Sequence, residues 1–164
     1  MKWSLQQLHK IQKFPFEFNG TLDFSLEAKS IDDIISVSPV IITGSINRID
    51  DETYQFSYHL KAPMVLKCAL TLEPVDYVID EDYVDIFSTI PDDDYILIEK
   101  NTIDLAMTVW SNIIIDKPIN VTRPDAYDIL EKQGIKLNES FNIDEDEEVI
   151  SYSDGVFSED ENDK

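Results

Sequence analysis

Carboxylates are the side chains of this sequence that could do chemistry, because 34 acidic residues face 13 basic ones and the net charge is −21. Between Glu73 and Asp94 there are nine acids and no base. Such a surface repels nucleic acid, whose affinity comes mostly from lysine and arginine contacts, and it attracts basic partners. The alternative is that the charge serves only solubility. The candidate partner-binding residues are Asp76, Asp80, Glu81, Asp82, Asp85, Asp92, Asp93 and Asp94.

Two acidic runs begin like the loop of a calcium-binding EF hand. Asp80-Glu81-Asp82 and Asp144-Glu145-Asp146 place acids at the first and third loop positions. The sixth position of such a loop is glycine, yet it is Asp85 in the first run and Val149 in the second. The single cysteine, Cys68, also excludes a zinc site built from several cysteines. We predict no metal site and no cofactor.

Nucleophilic catalysis would require Cys68 beside a base. In the strand pairing predicted below, side chains alternate between the two faces, so His59 points away from Cys68. The sequence also lacks a glycine-rich phosphate loop and a serine nucleophile elbow. We therefore predict a non-enzyme with no catalytic residues and no small-molecule substrate.

The basic patch of the chain lies in its N-terminal segment, where no acid precedes Glu17. Apolar residues recur at helical spacing from Met1 to Phe14, and Ser4 with Gln7 forms a capping box, so we predict an amphipathic helix. Its lysines either face water or contact phosphate. The candidate RNA-contact residues are Lys2, Lys10 and Lys13.

Strands must position most of these side chains. Apolar residues occupy every even position from Tyr54 to Leu60 and from Met64 to Leu72, which is typical of strands with one buried face. We expect an antiparallel hairpin with its loop at 61–63, extended by an upstream strand into a three-stranded meander. The expected pairs are Leu60–Met64, Tyr58–Leu66, Phe56–Cys68 and Tyr54–Leu70, then Val40–Leu60, Ile42–Tyr58, Gly44–Phe56 and Ile46–Tyr54.

Shorter signals complete the expected elements. Asn19-Gly20 predicts the turn of a hairpin over 16–24. Helices are expected from Asp104 to about Asn112 and from Pro124 to Gln133, the second closed by Gly134. The fold class is α+β: a mainly antiparallel β-sheet, partly barrel-like, with an N-terminal helix and one or two later helices.

We predict one domain over residues 1–137 and a disordered acidic tail over 138–164, where eleven acids face one base. No run of about 18 apolar residues exists, so we predict no membrane span. The N-terminus lacks the apolar region of a signal peptide, which indicates a cytoplasmic protein.

Several short motifs follow one another in a fixed order. They are Met1-Lys2-Trp3-Ser4-Leu5, Ser38-Pro39-Val40 followed by Gly44, Met64-Val65-Leu66-Lys67-Cys68, Ile103-Asp104-Leu105, and the apolar run before Pro118. Over roughly residues 1–122, this order resembles the large ribosomal RNA subunit accumulation proteins, the YceD family, in its low-GC Gram-positive form. Family members often carry Cys-x-Arg-Cys on the central strand. The corresponding residues here are Cys68-Ala69-Leu70-Thr71, so no metal or thiol role is carried over.

The resemblance implies a cytoplasmic, non-enzymatic factor for the accumulation of 23S rRNA and thus for ribosome assembly. The acidic composition favours a basic ribosomal protein or a basic assembly factor as the partner. Two alternatives stay open. One is direct binding of 23S rRNA through the basic N-terminal helix, and the other is an acidic protein that mimics nucleic acid and inhibits an enzyme.

Overall fold

The computed structural model describes residues 1–135, and the tail predicted from residue 138 lies outside the described residues. The strands are β1 (Lys2–Ser4), β2 (Phe16–Leu22), β3 (Ile34–Val37), β4 (Val40–Arg48), β5 (Thr53–Lys67), β6 (Pro74–Ser88), β7 (Ile96–Leu97) and β8 (Thr102–Asp104). The α-helices are α1 (Leu5–Lys10), α2 (Leu105–Asp116) and α3 (Ala126–Lys132), and a 3-10 helix spans Glu27–Ser30.

One six-stranded sheet organises the described part of the chain. Its order is β2-β4-β5-β6-β7, and β3 pairs with β5 beyond the end of β4. All pairs are antiparallel except β6 with β7, and the sheet is not closed into a barrel. A separate two-stranded sheet joins β1 to β8. Together with α1 before the sheet and α2 and α3 after it, this confirms the α+β prediction.

The long strand β5 replaces the predicted hairpin, so the loop at 61–63 is wrong. Even-numbered side chains from Tyr54 to Leu66 are buried along all of β5, and β6 follows it from Thr53 to Lys67. Pro63 fits in this strand because its nitrogen, which has no hydrogen to donate, lies where the strand paired with that side of β5 changes. β4 pairs with β5 as far as Lys61, and β3 pairs with β5 from Met64 onward.

The register between β4 and β5 is shifted by two residues from the prediction. Gly44 faces Tyr58 instead of Phe56, and Ile46 faces Phe56 instead of Tyr54. A shift of two keeps every side chain on its predicted face, because side chains alternate with a period of two. The expected buried row of β4 is therefore correct although its partners are wrong.

Three further predictions need correction. β2 runs straight through Asn19-Gly20, so no hairpin turn forms there. The strand expected from Met64 to Leu72 ends at Lys67, and a turn then leads to β6. The N-terminal helix is shorter than predicted, because Lys2–Ser4 forms β1 and only Leu5–Lys10 is helical. The capping box of Ser4 and Gln7 is confirmed, with both of its hydrogen bonds present.

The core fills the space between one face of the sheet and the helices. Leu105, Val109 and Ile113 form the buried stripe of α2, as their spacing predicts, and they join the buried row of β5 in one cluster. Burial of this stripe supplies most of the stability of a helix of this length. Within residues 1–135, none of the helices has the length and apolar character needed to cross a membrane. The opposite face of the sheet carries polar and charged side chains together with the exposed apolar residues Ile41, Val78 and Val84.

Candidate functional site

The strand β6 carries five of the eight predicted partner-binding acids, but it divides them between two faces. Asp80 and Asp82 pair across the sheet with Lys61 and His59, whose side chains lie on the outer, exposed face. Asp76 shares this outer face because it is separated from them by an even number of residues. The remaining two acids, Glu81 and Asp85, lie on the face that α2 covers.

On the outer face, His59 lies between two carboxylates. Its Nε2 is 2.7 Å from Oδ1 of Asp80, and its Nδ1 is 2.8 Å from Oδ1 of Asp82. Lys61 Nζ is 3.7 Å from Oδ2 of Asp80. The hydrogen bond to Asp82, followed by that to Asp80, raises the pKa of His59 above 6.5 because both favour the protonated ring. The outer face is therefore most negative when His59 is neutral.

We expect the NMR titration of His59 to give a pKa above 6.5, and we expect Asp82→Asn to lower it. Because the folded pKa is raised, the contribution of His59 to stability is complete below pH 6.5 and is lost as the pH rises through the folded pKa. Asp76→Asn is the matched control, since Asp76 forms no ion pair with His59 in the described chain. An unchanged His59 pKa in Asp82→Asn would contradict the hydrogen bond between His59 and Asp82.

On the inner face, Asp85 belongs to a polar cluster that attaches α2 to the sheet. The Tyr58 hydroxyl donates to Asp85 Oδ2 at 2.6 Å, and Asn112 Nδ2 donates to both Tyr58 and Asp85. Tyr83 donates to Asp116 at the end of α2 and stacks on Tyr58 with ring centroids 5.7 Å apart. Burial, then the bonded carboxylate, raises the pKa of each tyrosine. Asp85 is therefore held inside the protein.

The other three predicted acids, Asp92, Asp93 and Asp94, are exposed in the turn after β6. The Asp94 amide donates to Asp92 Oδ1 at 2.9 Å, which closes this turn locally. Among residues 1–135, none of the three forms an ion pair with a base. They form a second acidic surface at the end of β6, separate from the outer face.

The three predicted RNA-contact lysines do not lie on one helix. Lys2 is in β1, and its Nζ is 3.1 Å from Oδ2 of Asp104. Lys10 ends α1, and Lys13 follows it in the loop before β2. Both are exposed, and neither has an ion-pair partner in the part of the chain that the structure describes. The basic patch is therefore smaller than the sequence predicts.

Cys68 is buried just after β5, and it forms a parallel bridge with Val121. Burial raises the pKa of its thiol, but hydrogen bonds from the Thr71 side chain and from main-chain amides outweigh burial and lower the pKa to about 7. His59 is on the exposed face of the sheet, so it supplies no base to this thiol. Within residues 1–135, no group of three or more His, Cys, Asp or Glu side chains could hold a metal ion.

One known protein places the chain in a family. The Bacillus subtilis (strain 168) protein named Uncharacterized protein YlbN is 31% identical to it over 126 residues, which cover 74% of this chain and 73% of the relative. The chain belongs to the YlbN family. No protein-family profile matches it, and no solved structure does.

Sequence reasoning also missed Arg123 in this YlbN-family chain. Arg123 binds Glu73 at 2.7 Å and Asp125 at 2.8 Å, so it connects the segment before α3 to the start of β6. In the sequence, Glu73 is 50 residues from Arg123 and Asp125 is 2 residues from it. Only the contact with Asp125 could have been anticipated from the sequence, as a local pair.

A shallow groove crosses the outer face between β2 and β6, with a volume of about 550 Å³. Its lining includes Gly44, His59 and Asp82. The ion pairs of His59 therefore lie beside a recessed surface whose exposed area is more apolar than polar. A partner that binds the outer face would contact these ion pairs directly.

Proposed function

We propose that this protein is a non-enzymatic factor for 23S rRNA accumulation and ribosome assembly, and that it binds a basic ribosomal protein or a basic assembly factor. The role in ribosome assembly follows from the resemblance to the YceD family. The observation that carries the binding mode is the outer face, where exposed Asp76, Asp80 and Asp82 share one open surface of the sheet.

Charge decides between a protein and an RNA partner. The outer face presents carboxylates that repel phosphate and attract lysine and arginine. The opposing evidence, the basic N-terminal patch, is weakened because Lys2 is already paired with Asp104. Two lysines, Lys10 and Lys13, make few phosphate contacts compared with the 6–10 or so that give strong salt-dependent binding. A cationic protein partner therefore fits the surface better.

We expect the full chain to recover basic ribosomal proteins from a cell extract at low salt, and to lose them at high salt because exposed charges are screened. The variant Asp80→Asn/Asp82→Asn should recover much less, by about tenfold, since it removes two central carboxylates. The matched control is Glu27→Gln/Glu131→Gln, which removes the same charge from exposed residues outside β6. Protein identification and RNA quantification on the same beads provide the measurement.

Each other outcome points to a different function. Recovery of 23S rRNA without a protein, lost in Lys10→Glu/Lys13→Glu, would favour direct RNA binding. A stoichiometric, salt-sensitive complex with an enzyme, without any effect on rRNA levels, would favour the inhibitor. Normal 50S particles on a ribosome gradient after deletion of the gene would overturn the role in ribosome assembly.

A further inference from the structure

The strand β6 has a free edge along most of its length. One edge pairs with β5 without interruption from Pro74 to Ser88. On the other edge, β7 pairs only with Phe87 and Ser88. No other strand of residues 1–135 pairs with this edge, so the stretch from Pro74 to Asp85 has no neighbouring strand there.

The free edge presents a row of unpaired main-chain groups. The Ile98 amide donates to the Ser88 carbonyl at 2.8 Å, so the main-chain groups of Ser88 point away from β5. Because these directions alternate along a strand, the even-numbered residues from Asp76 to Val84 point the same way. No strand of residues 1–135 pairs with them on this side, and no turn, loop or cap hydrogen bond of these residues reaches their amides or carbonyls. Such a row is a template for an added strand.

The surroundings of this edge define what could occupy it. A groove of about 380 Å³ follows it from Tyr77 to Tyr83 and is closed by Asp116 at the end of α2. Acids border the groove on both faces of the strand, and the exposed Val78 adds an apolar contact. The bordering acids are Asp80, Glu81, Asp82 and Asp116. A second copy of this edge would carry the same charge, so two copies repel each other.

We infer that the free edge of β6 binds an extended, lysine- and arginine-rich segment of the partner as an additional strand of the sheet. This inference rests on the proposed function and specifies the conformation in which the basic partner binds. Main-chain hydrogen bonds to the even-numbered residues hold the segment, and its cationic side chains on both faces meet the bordering acids. The binding site is therefore the edge of the sheet together with its outer face.

The test uses a synthetic peptide that repeats the unit Lys-Lys-Thr-Thr, roughly 12 residues long, which places lysines on both faces of the added strand and can follow the edge from Asp76 to Val84. A matched peptide carries N-methyl groups on consecutive amides, which blocks both of its edges, so it keeps the charge but cannot pair as a strand. We expect the unmodified peptide to bind the full chain in a titration and to protect the even-numbered amides of β6 from hydrogen exchange. The N-methylated peptide should bind more weakly by a factor of about ten or more.

On the protein, Val84→Pro removes one outward amide without touching the hydrogen bonds to β5, which edge strands tolerate. Val84→Thr keeps that amide and is the matched control. We expect Val84→Pro to weaken peptide binding by about tenfold and Val84→Thr to change it by less than about twofold. Circular dichroism checks that both variants fold, and the two peptides still provide the test if Val84→Pro does not.

The remaining outcomes separate the two proposals. If both peptides bind equally, or if Val84→Pro binds as well as Val84→Thr, the edge inference is wrong while the proposed function stands. If neither peptide nor any basic ribosomal protein binds, both proposals fail. Protection of the even-numbered amides in the free full chain would show that another part of the chain, or a second copy, occupies the edge, which also overturns the inference.

Discussion

Gly44→Ala is expected to lower the free energy of unfolding by about 3 kcal/mol. An added Cβ would lie 2.5 Å from Tyr58 Cβ and 2.7 Å from Tyr58 Cα, which is closer than real Cβ atoms approach. Neither atom can move aside, because Tyr58 belongs to β5, which is held between β4 and β6. Relief would require separation of two paired strands. Chemical denaturation followed by fluorescence would measure the loss.

Gly20→Ala provides the matched control on the neighbouring strand β2. There the added Cβ would meet Cε of Met1, the far end of a flexible side chain that can rotate away. We expect a change within about 1 kcal/mol, since the gain from a less flexible unfolded chain offsets a small repacking cost. Equal losses in the two variants would show that the close contact at Gly44 is not the cause.

Phe56→Ala is expected to cost about 4 kcal/mol of unfolding free energy. Phe56 has no solvent exposure and lies at the centre of an aromatic cluster. Its ring centroid is 5.4 Å from that of Trp3, 6.0 Å from that of Phe18 and 5.1 Å from that of Phe87. These partners come from β1, β2 and β6, so a cavity here loosens three strands at once.

Phe56→Leu is the control for this cavity, because it keeps most of the apolar volume but no ring. We expect it to cost about 1–2 kcal/mol. Denaturant titration of both variants would provide the comparison. A loss for Phe56→Ala below about 1 kcal/mol would mean that the cluster collapses around the gap, and that Phe56 is not its centre.

The buried row of the central strands could be read from the sequence because it depends only on local alternation. The same local pattern could not show that the strand continues through Pro63. Proline usually interrupts a strand, and here it is accommodated only because β4 ends and β3 begins beside it. The register of Gly44 likewise depends on packing against Tyr58, a contact between residues distant in the chain.

The acidic site was only half predictable for the same reason. A run of acids on β6 is visible in the sequence, but its division into two faces depends on pairing with β5. Asp85 is bound by Asn112, which lies 27 residues further along the chain, and Asp80 and Asp82 are bridged by His59. The free edge of β6 depends on which strands pair with it, and a local pattern of residues does not predict this.

The small sheet formed by β1 and β8 has a consequence for how the protein is made. Lys2 pairs with Asp104 and Trp3 with Ile103, so β1 can form its pairs only after β8 has been synthesised. At about 5–20 residues per second, translation takes roughly 5–20 seconds to reach that partner. During this interval the indole of Trp3 has no β8 beside it in the nascent chain. The strand β1 therefore docks late, when the central strands are leaving the translating ribosome or have already left it.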